Sequence, residues 1–104
     1  MEDITVQELR KRQNQGDAVK LIDVREPYEH EEFNLGGKNL PLGEIQSWMS
    51  ELESEKESEM VLYCRTGNRS GMAAAFLKAN GFAHARNLTG GVVAWQEMVD
   101  REDA

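Results

Sequence analysis

A single cysteine, Cys64, lies in a segment whose residue types suit an anion-binding loop. The segment follows the apolar run 60–63, which is typical of a buried strand, and it precedes a stretch of strong helix formers. Ligands bind at this place in open α/β sheets, beyond the carboxyl end of a strand. The unpaired N–H groups and the dipole at the start of a helix favour a negative charge there. We therefore predict that Cys64 is a catalytic nucleophile that reacts as a thiolate.

The six residues after the cysteine supply hydrogen-bond donors and positive charge. We predict that all six bind substrate, and they are Arg65, Thr66, Gly67, Asn68, Arg69 and Ser70. Helix N-termini and nearby arginines lower the pKa of a cysteine from about 8.5, so the thiolate forms without a separate base. Gly67 permits the positive φ of an anion-binding turn, and Ser70 is a favoured N-cap for the following helix. The alternative role, a small buried core cysteine, fits poorly beside two arginines.

Alternating helices and strands are predicted to position this loop. Helices are predicted from the Thr5 cap to Gly16, from Pro27 to Phe33, from Gly43 to Leu52, from Ser70 to the Asn80–Gly81 stop, and over 92–99. Extended segments are predicted over 19–24, 39–42, 60–63 and 82–88. The stretch 51–59, with five Glu and one Lys, is predicted to be a solvated loop. This order predicts an α/β fold of three layers, in which helices cover both faces of a mainly parallel central sheet.

Other polar and aromatic residues have structural explanations. Asp23 and Arg25 stand where a strand ends and a helix starts. They are predicted to form a structural ion pair or cap, or to hold the site residues in place without contacting the substrate. His30 and His84 have no carboxylate or cysteine at a useful spacing and are predicted to be structural or exposed. The large apolar side chains predicted to pack on helical faces are Trp48, Met72, Phe76 and Trp95.

The composition excludes several classes of protein. A chain of 104 residues suits one domain, predicted over 1–104 with a core of about 3–100, and its net charge of -7 argues against a nucleic-acid partner. No apolar run reaches the ~20 residues of a membrane helix, and the acidic N-terminal sequence differs from a signal peptide, so we expect a cytoplasmic protein with no membrane partner. One cysteine and two histidines are too few ligands for a structural metal site.

Four segments resemble the rhodanese family, and together they cover most of the chain in the family's order. They are the loop 64–70, the Asp-Val-Arg segment 23–29, the Asn-Leu-Pro-Leu segment 39–42, and the Gly-Gly and Ala-Trp segment 88–95. The chain is therefore identified as a member of the single-domain rhodaneses, which are thiosulfate sulfurtransferases with a rhodanese-like fold. Residues 32–37 depart from the family's Gly-His-Ile pattern, which leaves the catalytic residues in place and would reshape a pocket wall.

The resemblance implies a two-step transfer of sulfur. The Cys64 thiolate takes the outer sulfur of thiosulfate and releases sulfite, and the resulting persulfide passes that sulfur to cyanide or to a thiol. Arg65 and Arg69 are expected to pair with the oxygens of thiosulfate, and the loop N–H groups to hold the charge of the persulfide. The expected acceptor is a small thiol, thioredoxin or a sulfur-relay protein, and no metal or organic cofactor is expected.

Two other functions are compatible with a related fold. Cysteine phosphatases and arsenate reductases place an arginine six positions after the cysteine, where this chain has Ser70, whereas Arg69 stands at the fifth position. The shorter loop suits a single sulfur atom better than a tetrahedral phosphate. A non-catalytic binding domain commonly loses the cysteine or the loop glycine, and here both Cys64 and Gly67 are present. Sulfur transfer is therefore the favoured function.

Overall fold

Four parallel strands form the central sheet in the computed structural model, which describes residues 2–102. In spatial order the strands are β2 (Lys38–Asn39), β1 (Leu21–Asp23), β3 (Met60–Tyr63) and β4 (Ala85–Asn87). The segments predicted over 19–24, 39–42 and 82–88 are thus shorter as strands than expected. Leu42 already belongs to a 3₁₀ turn, and Leu88 forms an isolated parallel bridge with Ile4. The predicted domain also includes residues 1, 103 and 104, which lie outside the described residues.

The register of the sheet brings the carboxyl ends of three strands to one edge. Asp23 of β1 pairs with Tyr63 of β3, and Leu62 of β3 pairs with Asn87 of β4. All residues of the two central strands are buried, as parallel strands covered on both faces should be. Cys64 is the first residue beyond β3, so the sheet presents it between the ends of its neighbours.

Five α-helices connect and cover these strands within the described part of the chain. They are α1 (Val6–Asn14), α2 (Pro27–Glu32), α3 (Ile45–Glu51), α4 (Asn68–Ala79) and α5 (Gly91–Glu102), with short 3₁₀ turns at Leu42–Glu44 and Glu53–Glu55. Thr5 caps α1 as predicted, because its Oγ1 accepts the N–H of Glu8 at 3.1 Å. Of the helices described over residues 2–102, none combines the length and the apolar character that a membrane span requires.

Helices pack on both faces of the sheet, which confirms the predicted three-layer α/β fold. Side chains alternate along β3, so Leu62 belongs to one core cluster and Val61 and Tyr63 to the other. On the first face, α3 and α4 contribute Trp48, Ala73, Ala74 and Leu77. On the second face, α1 and α5 contribute Val6, Leu9, Val92 and Met98. The strand end that carries Cys64 is therefore fixed from both sides.

The start of α4 and the face it buries differ from the prediction. The helix begins at Asn68 with Gly67 as its N-cap residue, so the prediction that Ser70 caps it is wrong. Ser70 is instead a buried residue in the first turn, and its hydroxyl bonds to other side chains. The prediction that Met72 packs against the sheet is wrong: its side chain is 59% exposed, because the buried face is made of small residues and leucine. The residues of that face are Ser70, Ala73, Ala74 and Leu77.

Glu59 lies partly buried within an ion-pair cluster, which corrects the prediction that all of 51–59 is a solvated loop. Its carboxylate accepts two hydrogen bonds from Arg12 at 2.8 and 2.7 Å and one from Arg86 at 2.8 Å. Hydrogen bonds from Arg12, helped by Arg86, lower the pKa of Glu59 to about 2 against the opposing effect of burial. The cluster ties α1 to β4 and to the residue that precedes β3.

Replacing Glu59 with glutamine is expected to make the protein less sensitive to acid. A carboxylate whose pKa is depressed in the folded state stabilises the fold above its unfolded pKa of about 4.3, and that contribution is lost as the pH falls towards the folded value. Urea unfolding at about pH 6 and about pH 3 should show a smaller loss of stability for Glu59→Gln than for the wild type. Glu57→Gln, at an exposed position, is the control. Equal acid sensitivity of all three proteins would contradict the prediction.

Candidate active site around Cys64

Cys64 directly follows β3 and is almost fully buried, with 1% of its surface exposed. Its Sγ accepts a hydrogen bond from the backbone N–H of Gly67 at 3.1 Å and another from that of Ser70 at 3.4 Å. The hydroxyl oxygen of Ser70 also lies 3.4 Å from Sγ. The loop therefore closes around one sulfur atom and directs its donors at that atom.

The pKa of Cys64 lies below the ordinary value of a thiol. Burial acts to raise this pKa, but the hydroxyl and N–H of Ser70 and the N–H groups of Gly67 and Thr66 lower it by more. Arg69 interacts electrostatically with the cysteine and adds positive charge near the sulfur. The site therefore favours the thiolate, which is the nucleophilic form.

Two glycines allow the loop backbone to take its shape. Gly67 has a φ of +102°, which lets the chain turn back over the sulfur before α4 starts. Gly91 opens α5 with a φ of +57°, and a Cβ at this position would lie 2.7 Å from the carbonyl oxygen of Arg65. The next residue, Val92, donates its N–H to the carbonyl of Cys64 at 3.0 Å. The start of α5 therefore holds the loop from the side opposite α4.

The two arginines of the loop have different surroundings. Arg69 forms a bidentate pair with Glu29 of α2, with Nη1–Oε1 and Nη2–Oε2 distances of 2.8 and 3.0 Å. Hydrogen bonds from Arg69 lower the pKa of Glu29 to about 2 against the effect of burial. Arg65 is exposed, and its guanidinium has no ion-pair partner among residues 2–102. An incoming anion therefore finds Arg65 free, whereas it must compete with Glu29 for Arg69.

A pocket of about 370 Å³ opens between α2 and the start of α5. Arg65 and Glu29 place opposite charges on its wall, and Val92 connects it to the loop backbone. Tyr28 and Phe33 also line it, and these large side chains are 65% and 40% exposed. Phe33 belongs to the segment 32–37 that departs from the rhodanese pattern. That departure therefore lies on a pocket wall.

Asp23 and Arg25 form a buried ion pair at the end of β1, in agreement with the structural role considered for them. Asp23 accepts hydrogen bonds from the Nε and Nη2 of Arg25 at 2.9 and 2.8 Å, and Arg25 also donates to the carbonyl of Phe33 at 2.5 Å. The Nδ1 of His30 lies 2.9 Å from the same carboxylate, so the prediction that His30 lacks a carboxylate partner is wrong. These contacts fix the chain that leads into α2.

All seven predicted site residues occupy the loop and the first turn of α4, but they contact different groups. Gly67 and Ser70 bond to the sulfur, whereas the side chains of Thr66 and Asn68 are exposed. The other loop side chains are Arg65 and Arg69.

Sequence reasoning missed two residues that contact this loop, Glu29 and Asn87. Glu29 bonds to Arg69 across 40 residues of sequence, and Asn87 bonds to Ser70 across 17. No local spacing indicates contacts that only the packing of α2 and β4 against the loop creates. A search for polar residues at the ends of neighbouring strands would have identified Asn87, since ligand sites in parallel sheets gather there.

Comparisons with a family profile and with known protein sequences indicate the same family. The profile of the rhodanese-like domain matches residues 5–98. A sulfurtransferase of Allochromatium vinosum is 35% identical over 94 residues, which cover 89% of this chain and 86% of that protein. The probable adenylyltransferase/sulfurtransferase MoeZ of Mycobacterium tuberculosis is 39% identical over 97 residues, which cover 92% of this chain and 25% of that protein. The chain therefore spans about a quarter of the length of this longer relative.

Solved structures show the same fold. The human single-domain sulfurtransferase TSTD1 superposes with a TM-score of 0.79 at 26% identity, covering 91% of this chain and 95% of that one. A rhodanese-like domain protein from Staphylococcus aureus gives a TM-score of 0.79 at 31% identity, covering 91% of each chain. The parallel sheet and the cysteine loop at its edge agree with these similarities, which extend over nearly the whole sequence. The chain belongs to the rhodanese-like sulfurtransferase family.

Proposed function

We propose that this protein transfers a sulfane sulfur from thiosulfate, or from a persulfide donor, through a persulfide on Cys64 to cyanide or a thiol acceptor. The observation that carries the proposal is the set of backbone N–H groups that converge on Sγ from Gly67 and Ser70. Such donors stabilise a thiolate before the reaction and a charged persulfide after it. Neither step requires a metal or an organic cofactor.

The proposed reaction consists of two displacements at sulfur. In the first, the Cys64 thiolate attacks the outer sulfur of thiosulfate, a new S–S bond forms, and sulfite leaves with the electron pair of the broken bond. In the second, the acceptor attacks the outer sulfur of the persulfide, and Cys64 departs as a thiolate. The two steps restore the enzyme without a net oxidant or reductant.

The loop dimensions favour sulfur over phosphate as the transferred group. The sixth position after the cysteine holds the buried Ser70, whose N–H already bonds to Sγ. The arginine at the fifth position, Arg69, is bound to Glu29, so its guanidinium is not free to bind the oxygens of a tetrahedral anion. We therefore do not propose a phosphatase or arsenate reductase activity.

The acceptor is proposed to be a small thiol, thioredoxin or a sulfur-relay protein. In support, a putative sulfur carrier protein of Bacillus subtilis is 30% identical over 94 residues and matches 89% of this chain and 50% of that protein. The exposed Tyr28 and Phe33 beside the loop offer apolar surface to an organic acceptor. A cytoplasmic location, without nucleic-acid or membrane partners, stays a prediction.

Mass spectrometry of the intact protein after incubation with thiosulfate tests the proposal. We expect a gain of one sulfur atom on Cys64, and cyanide should remove this sulfur and form thiocyanate. Cys64→Ser should gain no mass, since the chain has one cysteine. The absence of an adduct with thiosulfate and with a persulfide donor would overturn the proposed function. Hydrolysis of an aryl phosphate that depends on Cys64 would support the phosphatase alternative instead.

Replacing Arg65 with alanine is expected to raise the KM for thiosulfate by roughly 3- to 10-fold, with a smaller effect on a neutral persulfide donor. The reason is that Arg65 is the exposed loop cation without an ion-pair partner in residues 2–102, so it is available to a dianion. Initial rates with both donors give the comparison. Arg101→Ala changes an exposed position near the C-terminal end of α5, far along the helix from the loop, and should leave both KM values unchanged. Equal effects of Arg65→Ala on both donors would indicate a structural role.

A further inference from the structure

Asn87, the last residue of β4, has a side-chain amide whose orientation is set by the active-site loop. Its Nδ2 donates to the carbonyl oxygen of Gly67 at 3.2 Å. Because only the nitrogen of the amide can donate, this bond places Oδ1 on the side of Ser70, where it lies 2.5 Å from the hydroxyl oxygen. The backbone of Asn87 is held too, since its N–H donates to Asp3 at 3.3 Å. The amide therefore presents a fixed acceptor to Ser70.

The hydroxyl of Ser70 has one hydrogen and two neighbouring acceptors. Asn87 Oδ1 lies 2.5 Å from the hydroxyl oxygen, and the Sγ of Cys64 lies 3.4 Å from it. A serine hydroxyl donates one hydrogen bond and accepts others, so it cannot donate fully to both groups. Ser70 is fully buried, so its hydroxyl has these protein groups as partners in place of bulk water. The direction of this one hydrogen therefore decides which of the two acceptors receives the hydrogen bond.

We propose that Asn87 is a positioning residue that holds the Ser70 hydroxyl away from Cys64 while the sulfur is neutral and releases it when the sulfur becomes charged. With a neutral thiol, Ser70 donates to Asn87, and its lone pairs face Sγ and accept the S–H. With a thiolate, the hydroxyl turns to Sγ, because a hydrogen bond to a charged acceptor is about twice as strong as one between neutral groups.

This two-position hydroxyl fits both steps of sulfur transfer, and in that respect it rests on the proposed function. Sγ carries charge in the thiolate that attacks the donor and in the thiolate that departs when the acceptor takes the sulfur. In the persulfide the charge sits on the outer sulfur, so the hydroxyl returns to Asn87. The N–H groups of Gly67 and Ser70 are then left to the persulfide. The hydroxyl hydrogen turns between the two positions, and the hydroxyl oxygen moves away from Oδ1 when it turns to Sγ, because two oxygens 2.5 Å apart with no hydrogen between them repel each other.

The charged groups around the cysteine do not provide this control. Arg69, which interacts electrostatically with Cys64, is held by Glu29. Asp23 and Arg25 neutralise each other at the end of β1. Near the loop and Asn87, Arg65 is exposed and Asp3 accepts the Asn87 N–H. Arg86, next to Asn87 in β4, is paired with Glu59 and Glu8. The neutral pair of Ser70 and Asn87 is therefore the group whose hydrogen bonding changes with the state of the sulfur.

The pH dependence of Cys64 alkylation by iodoacetamide tests the proposal without any sulfur donor, and the single cysteine makes the signal specific. Asn87→Ala removes a hydrogen bond that exists in the thiol form, so the pKa of Cys64 should fall by about 0.4 to 1 unit. In a Ser70→Ala background, the same substitution should leave the pKa unchanged. The shift with Ser70 present and its absence without Ser70 would together support the positioning role.

Other results would overturn the proposal. If Asn87 served only to hold Gly67, Asn87→Ala would disorder the sulfur's N–H donors and would raise the pKa of Cys64 in both backgrounds. An unchanged pKa in the wild-type background would also contradict the positioning role. Incubation of the same proteins with thiosulfate separates the proposed sulfurtransferase function from the proposed role of Asn87. A pKa shift of Cys64 without persulfide formation would contradict the first proposal and support the second.

Infrared spectroscopy of the S–H stretch provides a measurement that does not depend on the stability of the Asn87 variant. At a pH where Cys64 is a thiol, the wild-type band should lie at the lower frequency of a hydrogen-bonded S–H. Ser70→Ala should shift the band towards the frequency of a free S–H. A band at the same position in both proteins would show that Ser70 does not accept from the thiol and would overturn the proposal.

Discussion

Replacing Asp23 with alanine is expected to lower the free energy of unfolding by about 3 to 5 kcal/mol. Arg25 is only 5% exposed, and the substitution leaves its guanidinium without the carboxylate of Asp23. Arg25 would keep its bond to the carbonyl of Phe33, and His30 would lose its contact with Asp23. A buried charge without its partner is strongly destabilising, because the group has lost water and gains too little in return.

Urea unfolding followed by circular dichroism measures this loss. Asp100→Ala removes the same side chain from an exposed position on α5, where the change should stay within about 0.5 kcal/mol. Asp23→Asn should fall between the two, since it keeps the shape of the side chain and removes its charge. A loss below about 1 kcal/mol for Asp23→Ala would mean that water or a rearranged Arg25 replaces the carboxylate.

Replacing Gly91 with alanine is expected to slow persulfide formation on Cys64 by about 100-fold, a larger effect than its loss of stability alone would produce. The φ of +57° disfavours a residue with a Cβ, and the added carbon would lie against the carbonyl oxygens of Cys64 and Arg65. Backbone cannot yield as a flexible side chain would, so the loop must shift. A shift of the loop misaligns the N–H groups that point at Sγ.

Gly16→Ala is the matched control for Gly91→Ala. Gly16 has a φ of +86°, yet a Cβ there would meet no atom within 4 Å. This variant should lose about 1 to 2 kcal/mol of stability from the backbone conformation and keep its rate of persulfide formation. Rates from the intact mass after timed incubation with thiosulfate give the comparison. Similar rates for the two variants would show that the loop absorbs the contact at Gly91 without changing the site.

The pattern along the sequence determined the α/β class and the place of the cysteine. Alternation of buried strands with helices requires a parallel sheet, and a cysteine directly after a buried strand must lie at the carboxyl edge of that sheet. The Thr5 cap of α1 also depends on neighbouring residues, and the structure confirms it. These features are local, or they follow from periodicity, so a single sequence contains them.

Tertiary structure decided the partners of the polar side chains. The sequence predicts that Arg69 is available to an anion, but the packing of α2 places Glu29 against its guanidinium. Ser70 suited an N-cap, but β4 brings Asn87 to its hydroxyl, and the helix starts at Asn68 instead. Glu59 belonged to an acidic stretch typical of a solvated loop, yet it binds Arg12 and Arg86.

The physical reason is the range of each interaction along the chain. Helix and strand formation depend on neighbours within a few residues, so the sequence determined the elements and the position of Cys64 by itself. Hydrogen bonds and ion pairs between side chains depend on which elements pack together, as the pair of Glu29 and Arg69, 40 positions apart in the sequence, illustrates. The sequence thus specified the nucleophile, and only the folded chain decided which donors and charges surround it.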